Sequence, residues 1–242
     1  TRVVHAGCSA ETPGSSPICA PIQHAVTYVH DHAEDLDGVL AGTRPGYVYA
    51  RYGNPTVGCL ESAIANLEAT ESAVALASGM AALHLSLLCA GARHGASVLA
   101  ARDLYGGTRT LLETVFVAAG VSVDYVDLTD LAALQTALDR RPRTVVLAET
   151  ISNPLLHVVE VPRLVKLAHG AGAQVVLDNT FGAPCCYAPA ADGVDWVVYS
   201  ATKYHGGHGD AMAGLVAASQ QRCVSIREAN KEAAYARQQA ML

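Results

Sequence analysis

The stretch that decides the fold runs from residue 174 to residue 203 and reads QVVLDNTFGAPCCYAPAADGVDWVVYSATK. Its two apolar runs, 174–177 and 196–199, have the Val- and Leu-rich composition of strands that are buried on both faces of a parallel sheet. A polar side chain follows each run, Asp178 after the first and Lys203 after the second. Because ligands of an open α/β sheet bind beyond the carboxyl ends of its strands, we expect both side chains in one crevice.

Apolar segments on both sides of this stretch extend the same pattern. Short runs rich in Val, Leu and Ala bring the expected strands to seven, at 73–77, 97–101, 122–126, 144–148 and 213–217. Helical patterns lie between and after them, at 57–68, 79–90, 106–119, 129–139, 161–170 and 221–240. This alternation predicts an α/β fold with a mostly parallel seven-stranded sheet between helices. A hydrophobic content of 51% is enough for a sizeable core.

The first 55 residues do not follow this pattern. They are rich in Pro, Gly, His and Tyr and keep no apolar period of 3.6 or 2. We therefore predict an extended arm over 1–55 and one large domain over 56–242. Because an arm without its own core needs another surface to lie on, we expect it to contact a neighbouring subunit.

Charge and the lengths of the apolar runs exclude some classes of partner. The net charge is −6 and the basic residues are scattered, so we expect no nucleic-acid partner. No run reaches the roughly 18 apolar residues of a membrane span, and the first residues do not begin an export signal. We expect no membrane partner and a cytoplasmic location. Seven irregularly spaced cysteines indicate reduced core thiols, and no metal site is predicted.

The segment Tyr199-Ser200-Ala201-Thr202-Lys203 carries the first candidate chemistry. A lysine held at a strand end can be partly desolvated, which lowers the pKa of its amine, and a neutral amine condenses with an aldehyde. The hydroxyls of Ser200 and Thr202 are suited to binding a phosphate. Taken alone, the segment is also typical of an ordinary exposed lysine.

Asp178 is the second candidate, 25 residues before Lys203. A carboxylate at this edge can pair with a protonated pyridine nitrogen and keep the ring an electron sink. An aspartate that caps a turn or helix is the ordinary alternative. Its position one crossover unit upstream of another strand end favours the crevice.

Two strand-to-helix junctions supply further candidates. The free amides at the start of a helix in Ser78-Gly79-Met80 form an anion site. Tyr105, beside two glycines, can stack on a planar ring. A capping role for Ser78 and a core position for Tyr105 are the alternatives.

A third junction joins the arm to the domain. There Tyr49 and Arg51 place a guanidinium near a phenol, a pair suited to phosphate recognition. Because the pair lies on the arm, we expect it to reach the site of a neighbouring subunit.

Together these five motifs, in this order and spacing, resemble the family of cystathionine γ-synthase, cystathionine γ-lyase and methionine γ-lyase. These are pyridoxal 5'-phosphate (PLP) enzymes of fold type I, the aspartate aminotransferase-like transferase fold. The resemblance implies that PLP forms a Schiff base with Lys203 and that its ring nitrogen pairs with Asp178. It also implies that Gly79, Met80, Ser200 and Thr202 contact the phosphate, together with Tyr49 and Arg51 of the adjacent subunit. Tyr105 is implied to stack on the ring, and Asn153 to lie near the phenolic oxygen.

The activity implied by the resemblance is cleavage of a carbon–sulfur bond. Elimination at the γ- or β-carbon of a sulfur amino acid gives a thiol, ammonia and a 2-oxo acid, with Lys203 moving the α-proton and Tyr105 as a proton donor to the leaving sulfur. A γ-replacement synthase or sulfhydrylase using an O-acylhomoserine is one alternative, and a non-catalytic PLP-binding homologue is another. Gly107 stands where methionine γ-lyases carry a cysteine, so the resemblance does not assign methionine as the substrate.

The family also implies an assembly and a further domain. Its members are dimers of dimers with phosphate sites shared between subunits, which implies a homotetramer. They continue into a C-terminal domain that supplies an arginine for the substrate carboxylate. No motif of this sequence matches that arginine, so we expect the C-terminal domain to be missing from this chain.

Overall fold

One seven-stranded sheet forms the core of residues 19–239, which a computed structural model describes, with side chains as far as residue 231. The strands are β1 (Ser72–Leu76), β2 (Ser97–Ala101), β3 (Ser122–Val126), β4 (Val145–Glu149), β5 (Gln174–Asp178), β6 (Trp196–Ser200) and β7 (Gly214–Ala218). Their order in space is β1-β7-β6-β5-β4-β2-β3. Strands β2 to β6 pair in parallel, and β7 runs antiparallel to both β6 and β1. The predicted mostly parallel sheet is confirmed, with every strand within one residue of its expected bounds.

Helices connect and cover these strands. They are α1 (Ala33–Leu40), α2 (Pro55–Glu68), α3 (Gly79–Cys89), α4 (Gly106–Leu111), α5 (Leu131–Arg140), α6 (Val161–Gly170), α7 (Ala183–Cys186) and α8 (Gln220–Gln239). A π-helical segment, Leu112–Phe116, continues α4, and a 3-10 turn, Pro189–Asp192, precedes β6. Side chains at the helix starts explain several of the bounds. The Asp130 carboxylate, for example, accepts the backbone N–H groups of Ala132 and Ala133 at 2.9 and 3.1 Å and so begins α5. No helix among the described residues has the length and apolarity to cross a bilayer.

Helix α1 lies within residues 1–55, for which the sequence predicts an extended arm and of which the structure describes residues 19–55. None of its residues is buried, so it leaves no apolar period in the sequence. Electrostatics favour it instead, because Glu34 and Asp35 lie in its first turn, near the positive end of the helix dipole. Asp35 also pairs with the Arg44 guanidinium.

The expectation that the cysteines are core thiols is wrong for three of the six that the structure describes. Only Cys223 is fully buried, while Cys19, Cys185 and Cys186 are exposed. The exposed pair lies on α7, a single turn whose apolar sequence packs little of its surface. Cys8 lies outside the described residues.

The carboxyl edge of the sheet brings three polar strand ends together. Glu149, Asp178 and Ser200 are the last residues of the adjacent strands β4, β5 and β6. Glu149 lies directly beside Asp178 in the register of β4 and β5. The strands behind this edge are almost fully buried, so the site stands on a rigid support.

Candidate active site

A cavity of about 270 Å³ opens at this edge of the sheet. Eight of the ten residues predicted from the sequence line it: Gly79, Met80, Tyr105, Asn153, Asp178, Ser200, Thr202 and Lys203. They end or follow five separate strands, β1, β2, β4, β5 and β6. The cavity volume is close to the lower end of the range for small-molecule sites, about 300 Å³.

Asp178 lies half-buried at the base of this cavity. Its Oδ1 accepts the Thr180 hydroxyl at 2.5 Å and the Thr180 backbone N–H at 2.9 Å. Burial raises the pKa of the Asp178 carboxyl, and the bonds from Thr180 oppose that shift. No lysine or arginine among the described residues forms an ion pair with Asp178, so its carboxylate is available to a cationic ligand group.

The start of α3 forms the opposite side of the cavity. Ser78 caps the helix, its hydroxyl oxygen accepting the Ala81 N–H at 3.1 Å, while the first turn faces the end of β6. This approach requires glycine at two positions. A Cβ on Gly79 would lie 2.7 Å from the Ser200 Cβ, and one on Gly214 would lie 2.0 Å from the Ser78 carbonyl oxygen. Backbone amides and the Ser200 side chain therefore meet in one small space.

Lys203 follows β6 in a turn, not at the strand end itself. Its backbone N–H donates to the Ser200 carbonyl at 3.1 Å, and its carbonyl accepts the Gly207 N–H at 2.8 Å. The side chain lines the cavity but is exposed, so the expected partial desolvation of the amine is wrong for this chain. The reason is geometric, because β6 ends at Ser200 and the turn carries the lysine outward. Thr202 anchors this turn to β7 by accepting the Ala213 N–H at 3.2 Å.

Glu149 is a cavity residue that the sequence analysis did not single out. It is 5% exposed, and it accepts the Tyr105 N–H at 2.6 Å and the Asn153 N–H at 2.9 Å. Burial raises the pKa of Glu149 to about 7; the charge of Asp178 adds to the shift, and the two amide bonds oppose it. Its position at the end of an otherwise apolar strand, like that of Asp178, was the available signal.

Several other cavity residues were also missed. Thr180 holds Asp178 and also accepts the Ser200 N–H at 2.8 Å, so it links β5 to β6. Apolar side chains complete the lining: Leu83, Ile151, Phe181 and Met212. Residues of this kind carry no chemical motif, so only their placement identifies them.

Tyr49 and Arg51, the remaining two predicted residues, do not line the cavity. They lie exposed on the arm, with the Arg51 guanidinium 5.2 Å from the centre of the Tyr49 ring. A bridge between Thr27 and Tyr49 holds this part of the arm against its preceding segment. Neither side chain therefore contributes to the cavity of its own chain.

A family model described as Cys/Met metabolism PLP-dependent enzyme matches residues 1–237. Curated relatives agree with that match. An L-methionine gamma-lyase of Fusobacterium nucleatum is 39% identical over 94% of this chain and 57% of its own length. An O-succinylhomoserine sulfhydrylase of Pseudomonas aeruginosa is 43% identical over 79% of this chain and 47% of its own length.

Solved structures extend the likeness to the fold. The apo form of CalE6, a methionine gamma lyase from Micromonospora echinospora, superposes with a TM-score of 0.84 at 34% identity, covering 97% of this chain and 60% of that one. The chain thus spans about half the length of the relatives that it matches.

Proposed function

This chain belongs to the Cys/Met metabolism PLP-dependent enzyme family, and on that premise we propose that it is a carbon–sulfur lyase. The proposed substrate is a sulfur amino acid, cleaved by γ- or β-elimination with water into a thiol, ammonia and a 2-oxo acid. The observation that carries the proposal is the convergence of Lys203, Asp178 and the first turn of α3 on one cavity.

The residues of the cavity fit PLP at both of its ends. At one end, the amides of the α3 first turn and the Ser200 hydroxyl suit a phosphate, in a space that a Cβ at Gly79 would fill. At the other end, the buried carboxyl of Asp178 has a raised pKa and no described basic side chain paired with it, which suits a protonated ring nitrogen. Lys203 is exposed to solvent and lines the same cavity as these groups.

When bound, PLP supplies an electron sink for the carbanion at the substrate α-carbon. The Asp178 carboxylate would stabilise the positive charge on the protonated ring nitrogen. Hydrogen bonds from Thr180 fix the orientation of that carboxylate. The Lys203 amine removes the proton from the substrate α-carbon and carries out the later proton transfers on the substrate. The Tyr105 hydroxyl would donate a proton to the departing sulfur, and the Asn153 amide would donate a hydrogen bond to the phenolic oxygen of the cofactor.

The apolar lining of the cavity supports a sulfur amino acid as substrate. Phe181, Ile151 and Met212 offer surfaces to an uncharged thioether chain. The similarity of this chain to methionine γ-lyases supports the same class of substrate.

A direct assay tests the proposed reaction. Purified protein with PLP, incubated with methionine, homocysteine, cystathionine or cysteine, is expected to release a 2-oxo acid and ammonia in equal amounts. PLP binding without turnover of any of the four would contradict the lyase and favour a non-catalytic homologue.

A γ-replacement enzyme is the second candidate. It is favoured by Gly107, which stands where methionine γ-lyases carry a cysteine, and by the 43% identity to a sulfhydrylase. Incubation with O-succinylhomoserine and a thiol separates the two, because a synthase forms a new thioether and a lyase releases 2-oxobutanoate.

We propose that the active unit is at least a dimer, in which residues 1–55 form an arm that carries Tyr49 and Arg51 to the phosphate of the neighbouring subunit's site. Their exposure and their absence from the cavity of their own chain support this arrangement. A dimer of two such dimers, as the resemblance implies, is the proposed complete assembly. The free thiols of Cys19, Cys59, Cys185, Cys186 and Cys223 suit a reducing compartment, and we propose the cytoplasm.

A mixing experiment tests the shared site. Arg51→Ala and Lys203→Ala subunits are each expected to be inactive, but exchange between them creates one site with both residues intact in every mixed dimer. With random exchange, activity recovers to about a quarter of the wild-type value. Arg44→Ala, which changes an arginine of the arm that pairs with Asp35, serves as the control and is expected to retain activity. No recovery after demonstrated subunit exchange would contradict the shared site.

A further inference from the structure

Glu149 connects two loops that flank the cavity. Its Oε1 accepts the N–H of Tyr105, in the loop after β2, and its Oε2 accepts the N–H of Asn153, in the loop after β4. Both loops carry a side chain that lines the cavity. Each carboxylate oxygen of Glu149 therefore holds one loop.

The charged and titratable groups around Glu149 are of both signs: Asp178, Asp103 and Asp127 are acidic, and Lys203, Arg102 and His157 are basic. On β5, Asp178 lies beside it in register and lines the same cavity. From the loop after β6, Lys203 lines that cavity as well. A smaller cavity on the other side brings Glu149 near an ion pair of Asp103 and His157, whose Oδ2 and Nδ1 are 3.2 Å apart, and near Arg102.

None of these basic groups pairs with Glu149 directly among the described residues. Burial in this setting raises the pKa of the Glu149 carboxyl to about 7. Two carboxyl groups thus lie side by side at the end of adjacent strands, and burial raises the pKa of both.

We propose that Glu149 is a positioning residue that holds the Tyr105 and Asn153 loops around the cofactor, and that it holds both only as a carboxylate. This inference rests on the proposed function, because it assigns Glu149 a role toward the PLP ring. The two protonation states of the Glu149 carboxyl group differ in the number of hydrogen-bond acceptors that they present. A carboxylate accepts from both amides, whereas a protonated carboxyl presents a hydroxyl group to one of them.

Loss of one of these bonds releases one loop. Tyr105 is 49% exposed and lines the cavity, and the Glu149 carboxylate holds its backbone N–H. Release of either loop therefore weakens binding of a ring between them. The affinity for the cofactor is expected to rise as pH increases through the pKa of Glu149.

The probe is 4'-deoxypyridoxine 5'-phosphate, which has the ring and phosphate of PLP but no aldehyde to react with Lys203. Its affinity for the apoprotein, measured by fluorescence titration, is expected to rise between about pH 6 and pH 8. In Glu149→Gln, the amide NH₂ faces one of the two backbone N–H groups as a second donor. Affinity at the upper pH is expected to fall by at least about fivefold, and its dependence on pH is expected to be smaller than in the wild type.

Thermal unfolding of the apoprotein supplies an independent measurement. Because the pKa of folded Glu149 lies above its ordinary value, the buried carboxylate destabilises the wild type increasingly as pH rises from the ordinary glutamate pKa to about 7, and by a constant amount above that. Glu149→Gln lacks this charge, so its unfolding temperature relative to the wild type is expected to rise with pH. A residue needed only for packing would lower stability and affinity together.

Two variants serve as controls. Glu61→Gln changes a carboxylate on α2 that accepts the Ala75 N–H and pairs with Arg227, away from the cavity. His157→Gln removes the neighbouring histidine. Both are expected to keep the wild-type rise in probe affinity with pH.

The outcomes separate this inference from the proposed function. If the wild type binds neither PLP nor the probe, the proposed function fails and the inference fails with it. If the wild type binds PLP and turns over a sulfur amino acid, but its probe affinity is independent of pH or matches that of Glu149→Gln, the inference alone is overturned. If Glu149→Gln does not fold, a wild-type affinity that does not rise with pH still overturns the inference, and a rise centred near pH 7, above the phosphate pKa of about 6, supports it.

Discussion

Lys203→Ala is expected to lower turnover of a sulfur amino acid by about 10³-fold or more, because it removes both the cofactor linkage and the base at the α-carbon. The fold is expected to survive. The Lys203 side chain is exposed, and the surrounding turn is held by backbone bonds that alanine preserves. Borohydride reduction followed by mass spectrometry should find PLP attached to residue 203 in the wild type and no attachment in the variant.

A lysine elsewhere on the surface provides the control for this result. Lys166→Ala, on α6, removes another exposed amine and is expected to keep both the attachment and the activity. Full activity of Lys203→Ala, or attachment of PLP to a different lysine, would remove the basis of the proposed mechanism.

Asp178→Asn is expected to lower turnover by about 10²-fold while PLP remains attached to Lys203. The asparagine oxygen can still accept both bonds from Thr180, so the turn after β5 is retained. What is lost is the negative charge that keeps the ring nitrogen protonated. The kcat of the variant and the pH dependence of its cofactor absorbance measure this effect.

The apoprotein is expected to respond in the opposite direction. Because burial raises the pKa of the Asp178 carboxyl, its charge destabilises the folded state above the ordinary pKa of an aspartate, and the neutral variant is expected to unfold at a higher temperature. Asp195→Asn is the contrasting control. That carboxylate pairs with Arg222 and accepts the Val175 N–H, so its loss is expected to lower stability. Unchanged turnover in Asp178→Asn would refute the assigned role.

Most of the fold could be predicted because parallel strands buried on both faces have a continuous apolar composition. The seven runs therefore gave strand positions to within one residue, and the polar residues that follow them indicated one edge of the sheet. Helix α1 could not be found in this way, since a helix that buries no residue leaves no apolar period.

The residues of the candidate site were likewise only partly recognisable from the sequence. Lys203, Asp178 and Gly79 were recognisable from local motifs, because each stands next to a strand end. Only the tertiary structure revealed Glu149 as part of the site. Its partner Tyr105 is 44 residues away in the sequence, and no local pattern reports a bond between them.

Local sequence thus determined which residues end the strands, because the end of a continuous apolar run is a property of neighbours along the chain. Tertiary structure decided how exposed to solvent each of those residues is and which distant backbone N–H groups bond to it. It leaves Lys203 exposed in a turn and brings Glu149 into register with Asp178, so that two carboxyl groups share one buried edge. The ionisation of such groups depends on the charges and solvent around them, and these are set only when separate strands pack together.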